Sequence, residues 1–225
     1  MQNGGKVKSR HYKILPSLIA WPIALAAMLH GSSAVAQQSQ YQLDPKQLAM
    51  LPPYCKYTQV FRDKVPGGND PQQIERWGSV LGAQSFHHLH HYCAGLGSTN
   101  RALYFSSTKQ DRNFELSQSV REFDYVLERV PADYVLRPEI LTKRGENLLR
   151  LGNGPEGALD LNRAIELKPD HWPPYAALSD YYKGLGDVRS AREWAQKGLA
   201  AAPGTKALQR RLAELDQAKG SRSAN

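Results

Sequence analysis

The amino-acid sequence predicts an all-α solenoid of antiparallel helix pairs, ended by a C-terminal capping helix. The first observation is a period of 34 residues in the C-terminal half, which brings Pro169 into register with Pro203 and Gly152 with Gly186. The second is an apolar stripe at helical spacing in each half of the repeating unit. The third is the placement of Gly and Pro between these stripes, where helices end and begin.

The helix pairs carry small residues where two helices would cross. Leu141 and Gly145 recur at i and i+4 on the first helix of one unit, and Gly157 opens the facing stripe on the second helix. A residue without a side chain lets the paired helix approach closely. The equivalent of Gly145 in the next unit is Ser179, which is also small. The sequence therefore predicts closely packed helix hairpins.

A 34-residue period with two helices per unit is typical of the tetratricopeptide repeat (TPR), and the stretch from 138 to 203 resembles that family. The resemblance predicts a TPR-like α-solenoid, in which terminal units need a polar outer face. We expect a degenerate repeat over 105–137 with its first helix within 71–104, complete repeats over 138–171 and 172–205, a capping helix over 206–219 and a flexible tail over 220–225.

The resemblance also implies a concave groove that holds a protein or peptide partner. By family position, the groove residues would be Glu139, Thr142, Glu146, Leu149, Arg150, Ala176, Asp180 and Lys183. The family's clamp for a C-terminal carboxylate needs Lys and Asn at such positions, and this chain has Thr, Glu, Ala and Asp there. We therefore expect an acidic, mixed groove that favours a basic or neutral peptide. The alternative is that these side chains are only solvated.

The N-terminus predicts an exported protein. Four basic residues within the first 13 positions precede an apolar run over 14–29, and small residues follow up to Ala36. This order is typical of a secretory signal peptide over 1–36, with cleavage after Ala36. The apolar run is short for a membrane anchor, which is the alternative, and we expect no stable membrane span after cleavage. An extended arm over 37–50 would follow, in a periplasmic protein that resembles exported bacterial TPR proteins.

Two cysteines, Cys55 and Cys93, would remain in the mature chain. In an oxidising compartment an even count favours a disulfide, and closing a loop of this length would stabilise the fold by about 4 kcal/mol. Two buried thiols or a redox pair are the alternatives, although the spacing is not CxxC. The N-terminal helical segment over 51–104 would carry this bond.

The same segment contains the stretch FHHLHHYC at 86–93. Asp70 and Pro71 predict the start of a helix that runs to about Leu96. On that helix only His87 and His91 have the i, i+4 spacing that two zinc or copper ligands use. A structural or interface role for the histidines is the main alternative, and pH sensing is another.

The sequence predicts binding rather than catalysis. It has no P-loop, no GxSxG and no GxGxxG, and HHxHH lacks the glutamate of HExxH. We expect no enzyme activity and no cofactor. Nucleic acid is not expected as a partner, because the leader carries four of the excess positive charges and leaves a net charge of only +4. The expected function is an exported scaffold or adaptor in a cell-envelope assembly, with an envelope metal-binding protein as the alternative.

Overall fold

The computed structural model describes residues 45–223, with side chains to residue 217. This part of the chain is helical and contains no strand. The helices are α1 (Pro45–Ala49), α2 (Pro71–Leu81), α3 (Ala83–Tyr104), α4 (Lys109–Arg129), α5 (Arg137–Leu151), α6 (Gly154–Leu167), α7 (Pro173–Gly184), α8 (Val188–Ala201) and α9 (Lys206–Ser223), with a short 3₁₀ helix at Pro53–Tyr57.

The helices pack as consecutive hairpins: α3 with α4, α5 with α6, and α7 with α8. Helix α9 packs on α8 and α7, as a capping helix does. The architecture is therefore the predicted TPR-like α-solenoid. The first helix of the degenerate repeat, expected within 71–104, is α3. None of the described helices is both long enough and apolar enough to cross a bilayer.

The prediction of one helix from Pro71 to Leu96 is wrong. The chain breaks at Gly82, where φ is +78°, so α2 ends at Leu81 and α3 continues to Tyr104. This left-handed backbone is open to glycine and strained for other residues. The side chain of Asp70 caps α2 as expected, by accepting hydrogen bonds from the backbone N–H groups of Gln72 and Gln73.

Three other predicted segments differ from the structure or fall outside the described residues. The signal peptide expected over 1–36 lies outside the described residues. So does most of the extended arm expected over 37–50, but the end of this segment forms the short helix α1. At the C-terminus, α9 continues past 219 to Ser223.

The small residues lie at the helix crossings, as predicted. A Cβ added to Gly145 would lie 2.9 Å from the carbonyl oxygen of Gly157, and one added to Gly157 would lie 2.8 Å from the carbonyl oxygen of Gly145. Gly95 of α3 faces the ring of Phe123 on α4 in the same way. These contacts align the first hairpin with the second, so that Gly95 corresponds to Gly145.

A buried polar network joins the first hairpin to the second. The side-chain amide of Asn147 on α5 donates to Thr99 Oγ1 (2.7 Å) and to Ser119 Oγ (2.9 Å), and the Ser119 hydroxyl donates to the carbonyl oxygen of Gly95 (2.8 Å). Asn147 and Ser119 are fully buried. Satisfied buried hydrogen bonds of this kind fix the position of one hairpin relative to the next.

Candidate functional site

A cleft of about 770 Å³ lies between α5, α7 and α9. Its apolar part is formed by Leu149, Trp172, Ala176, Ala177 and Leu185. Leu185 and Trp172 remain 63% and 38% exposed, respectively. The remaining lining consists of Lys143, Glu146, Arg150, Gly152, Gly154, Pro173, Asp180, Tyr181, Gly184 and Arg211.

Five of the eight groove residues predicted from the sequence lie together in this cleft. They are Glu146, Leu149, Arg150, Ala176 and Asp180. Helix α5 supplies the first three and α7 the other two, because equivalent positions of successive first helices face the same side of a solenoid. Whether they contact a partner remains a prediction.

The other three predicted groove residues have contacts outside the cleft lining. Thr142 is buried, and its hydroxyl donates to the carbonyl oxygen of Pro138 (2.7 Å). Lys183 donates to Glu214 of α9 (2.9 Å). Glu139 accepts a hydrogen bond from the hydroxyl of Tyr92 (2.6 Å).

The acids of the cleft are neutralised by its own bases. The carboxylate of Glu146 lies 3.4 Å from Lys143 Nζ and 3.6 Å from Arg150 Nη1. Asp180 accepts two hydrogen bonds from the guanidinium of Arg211, at 2.9 Å and 2.6 Å. With three bases and two acids, the lining has a net charge of +1. The acidic character expected from Glu146 and Asp180 is therefore wrong for the cleft as a whole.

Several cleft residues were missed by the sequence analysis. Trp172 directly precedes α7, and Leu185 directly follows it, so a search restricted to positions within the first helices passes over both. Arg211 comes from the capping helix, whose docking angle no repeat spacing predicts. The sequence signal that could have pointed to Trp172 is a large apolar residue directly before the two prolines that begin α7.

In the first hairpin, the positions equivalent to three of the predicted groove residues are buried. By the alignment of Gly95 with Gly145, the positions of Glu139, Thr142 and Glu146 are occupied there by Leu89, Tyr92 and Leu96. These three side chains are 0%, 0% and 9% exposed. They share one apolar core with Leu51, Tyr54 and Cys55 of the N-terminal segment.

The disulfide predicted between Cys55 and Cys93 is confirmed. It joins the 3₁₀ helix to the middle of α3 with Cα atoms 5.6 Å apart, and both cysteines are fully buried. The bond holds the N-terminal segment, residues 45–70, against the first hairpin. The groove of this hairpin is thus filled by the chain itself.

The charge of Glu139 influences several aromatic side chains, one of which, Tyr92, is hydrogen-bonded to it. Burial, the charge of Glu139 and the nearby Tyr134 hydroxyl raise the pKa of Tyr54 well above its usual value. Burial raises the pKa of Tyr92, and the Glu139 carboxylate raises it further. Burial lowers the pKa of His171, which the charge of Glu139 partly opposes. These groups therefore lie within electrostatic range of one carboxylate.

Of the histidines of α3, His88 and His91 contact α4. Nδ1 of His91 lies 2.6 Å from a carboxylate oxygen of Glu122, and its ring stacks on Tyr125 with centroids 3.6 Å apart. His90 is buried with Nδ1 2.9 Å from the carbonyl oxygen of His87, and burial lowers the pKa of His90 to about 4. His87 is exposed.

Within the described residues, this arrangement adds no third ligand to the metal site predicted at His87 and His91. Between residues 45 and 217, no three His, Cys, Asp or Glu side chains are grouped so that they could hold an ion. His87 and His91 keep the helical spacing that suggested the site, but His91 is already bonded to Glu122. The structural role for the histidines is better supported for His90 and His91.

Comparison with known proteins agrees with the architecture. No protein-family model matches the sequence. The chain is similar to the Hsp70-Hsp90 organizing protein of Triticum aestivum, with 30% identity over 101 residues. The match covers 45% of this chain and 17% of the relative, so the chain spans less than a fifth of that protein. The similarity and the stacked helix pairs together fit a TPR-like family and a general role in protein interaction.

Proposed function

We propose that this chain is a non-enzymatic adaptor that binds a peptide segment of a partner protein in the cleft between α5, α7 and α9. The observation that carries the proposal is the cleft itself, a concave space of about 770 Å³. Its apolar wall includes the exposed side chains of Trp172 and Leu185. Binding sites combine such apolar walls with a few polar groups that fix orientation.

The charge of the lining favours a neutral or acidic segment with a large apolar side chain at its centre. Glu146 and Asp180 are engaged by bases of the protein, so they offer little attraction to a basic ligand. Arg150 lies 3.6 Å from a carboxylate that also serves Lys143, which leaves one positive charge in excess. A complementary ligand charge would add specificity more than affinity.

We also propose that the adaptor works in the cell envelope, as an exported periplasmic protein. The support is the order of basic, apolar and small residues over 1–36, together with the disulfide between Cys55 and Cys93. Disulfides persist in oxidising compartments and are rare in the cytosol. Mass spectrometry of the protein isolated from the envelope fraction tests this, since removal of residues 1–36 would leave Gln37 as the first residue.

The test of the binding function begins with a display library of random dodecapeptides, from which peptides that bind the purified full-length protein are selected. Enriched peptides are then measured by fluorescence anisotropy against the wild type and two variants. Leu185→Asp places a charge in the cleft and should weaken binding at least tenfold. Leu159→Asp changes a residue of similar exposure, 69%, on α6 outside the cleft and should leave binding within twofold.

Two outcomes would overturn the proposal. One is a selection that enriches no peptide. The other is equal weakening by Leu185→Asp and Leu159→Asp, because the peptide would then bind elsewhere or respond only to a general change of charge.

A further inference from the structure

The turn that joins α3 to α4 concentrates exposed apolar side chains. Leu103, Tyr104, Phe105 and Phe114 are between 41% and 66% exposed. They are four of the ten large apolar side chains that the described part of the chain leaves exposed, and three of them are aromatic. Phe105 and Phe114 line the same hollow, so the group is continuous across the turn. Exposed apolar side chains that are grouped, and not scattered singly, mark sites of contact, and we call residues 103–114 the aromatic tip.

The aromatic tip extends beyond the turn of the second hairpin. In the first hairpin, the Ser119 hydroxyl donates to the Gly95 carbonyl oxygen at the helix crossing. In the second, Gly157 packs on the Gly145 carbonyl oxygen at the equivalent place. On the side of the turn, α4 has ten residues before Ser119 and α6 has three before Gly157, a difference of about 10 Å along the axis. Likewise, α3 has nine residues after Gly95 and α5 has six after Gly145, a difference of about 4.5 Å. The tip therefore extends about 5–10 Å further than the neighbouring turn.

Two bases accompany the aromatic residues. Lys109 and Arg112 lie in the first turn of α4, both are exposed, and neither forms an ion pair within the described residues. The tip also contains Asp111, so its net charge is +1. The adjacent pair of Arg101 and Glu115, with Nε and Oε1 2.9 Å apart, adds no net charge. The tip thus combines aromatic side chains with a small positive excess.

We propose that the aromatic tip inserts into the surface of a membrane that contains anionic phospholipids. Apolar segments that bind at the bilayer interface enter it by about 5–10 Å, which is the length by which the tip exceeds the neighbouring turn. Aromatic rings, above all those with a polar end such as Tyr104, favour the level of the headgroups. Lys109 and Arg112 would meet the phosphate groups there.

The shape and composition of the tip favour a lipid surface over a protein partner. An extended turn would need a matching depression in a protein, whereas a fluid bilayer accepts it without a fixed shape. The inference goes beyond the proposed function, because the cleft between α5, α7 and α9 stays available for a peptide. It uses the proposed envelope location only as the place where the protein would meet a membrane.

The first test measures co-sedimentation of the full-length protein with vesicles made of equal parts of phosphatidylglycerol and phosphatidylcholine. In Tyr104→Ser/Phe105→Ser the partition coefficient should fall at least about tenfold, because two aromatic side chains no longer leave water. The matched control is Val80→Ser/Leu159→Ser, which alters two exposed apolar residues of α2 and α6 and should bind within about twofold of the wild type. Circular dichroism verifies that both variants are folded.

The role of the two bases is tested separately. Lys109→Gln/Arg112→Gln should bind the same vesicles about tenfold more weakly than the wild type. On vesicles of phosphatidylcholine alone, this variant and the wild type should bind equally, because these vesicles have no net charge. Equal binding of the two proteins to both kinds of vesicle would contradict the attraction to anionic lipid.

Fluorescence quenching locates the inserted part of the protein. Tyr104→Trp adds a fluorophore at the tip, and Val80→Trp adds one on α2. Lipids that carry bromine on their acyl chains should quench the fluorescence added at position 104 and spare that added at position 80. Equal quenching of the two would overturn the proposal, since the aromatic tip would not be the part that enters the bilayer.

The remaining outcomes separate this inference from the proposed function. A wild type that binds neither kind of vesicle, or a Tyr104→Ser/Phe105→Ser variant that binds as the wild type does, would overturn the membrane contact alone. The affinity of this variant for peptides selected on the cleft should stay within about twofold of that of the wild type. A parallel loss of peptide binding and vesicle binding would overturn the separation of tip and cleft.

Discussion

The first hairpin, α3 and α4, and the two hairpins that follow share one plan but differ in what covers their first helices. In the first, Leu89, Tyr92 and Leu96 are covered by the N-terminal segment, which the disulfide holds in place. In the second hairpin, Glu146, the equivalent of Leu96, lines an open cleft together with residues of the third hairpin. The comparison shows that a segment of the same chain can cover part of a repeat that borders a cleft in the next repeat.

The two regions also differ in what stabilises them. The first hairpin has a large aromatic core with Phe61, Phe86, Tyr92 and Phe123. The third has a small core around Tyr175 and Leu208 and relies on close helix contacts at Ala195 and similar small residues. The stability of the first hairpin therefore depends on buried apolar area. The stability of the third depends on small side chains that let its helices pack closely.

The largest effect should come from removing the disulfide. In Cys55→Ala/Cys93→Ala the unfolded chain regains the freedom of a loop that the bond closes over a separation of 38 residues. We expect the free energy of unfolding to fall by about 4 kcal/mol. Urea unfolding followed by circular dichroism measures this change.

Hydrogen exchange then shows where the loss occurs. If the N-terminal segment covers α3, the backbone amides of α3 should exchange faster in the double variant. For the amides of α8, the difference between their opening free energy and the free energy of global unfolding should stay the same. Faster exchange of equal size in α3 and α8 would mean that the described solenoid opens as one unit. The proposed difference between a first hairpin held by the disulfide and later hairpins that open independently would then be wrong.

The sequence predicted the repeated part of the fold well because two copies of the repeating unit can be aligned and compared. The 34-residue period, the helix boundaries at Gly152 and Gly186, and the crossing at Gly145 and Gly157 all follow from two aligned copies. The first hairpin offers no such copy. The break at Gly82 could not be distinguished from a glycine tolerated inside a helix, since both give the same apolar pattern on either side.

A second prediction concerns the pH dependence of the covered hairpin. Burial lowers the pKa of His90 to about 4, whereas an unfolded histidine titrates near 6.5. Between these values the unfolded chain binds more protons, so stability falls as the pH decreases through that window. His90 should contribute a loss of about 2 kcal/mol between pH 7 and pH 5.

Urea unfolding at the two pH values tests this in the wild type and in His90→Leu. The variant should lose about 2 kcal/mol less than the wild type over the same interval. Glu122 and His91 face His90 from α4 and α3, and they remain in both proteins. Identical pH dependence in the two proteins would show that His90 does not titrate with a lowered pKa.

The third prediction concerns the close helix contact of the second hairpin. In Gly157→Ala the new Cβ would lie 2.8 Å from the carbonyl oxygen of Gly145 and 2.8 Å from a methyl carbon of Leu149. The backbone oxygen can yield only if α5 and α6 separate. We expect a loss of about 2 kcal/mol on urea unfolding, a typical cost of overpacking. An unchanged free energy of unfolding would show that α5 and α6 are not in close contact at this position.

The candidate site was harder to predict than the fold because its chemistry depends on contacts between distant parts of the chain. Family position identified Glu146 and Asp180 but not their neutralisation, which for Asp180 comes from Arg211, 31 residues later. Likewise, Glu139 could be assigned to a groove, but nothing in its sequence neighbourhood indicates Tyr54. Repeat spacing predicts which way a side chain faces, and it carries no information about what the flanking segments bring to it.

The smallest predicted effect uses the same substitution in the third hairpin, at the end of α7. Gly184 ends α7 without a left-handed φ, and an added Cβ would meet nothing within 4 Å. Gly184→Ala should therefore stabilise the protein by about 0.5 kcal/mol, because alanine restricts the unfolded chain without a clash. Gly186→Ala has equal space but a φ of +80°, so it should instead destabilise the protein by about 1 kcal/mol. A gain in stability for Gly184→Ala and a loss for Gly186→Ala would show that the backbone conformation, and not the space around the new Cβ, decides the effect. If Gly184→Ala instead cost as much as Gly157→Ala, the third hairpin would have to be as closely covered at this point as the second is at its crossing.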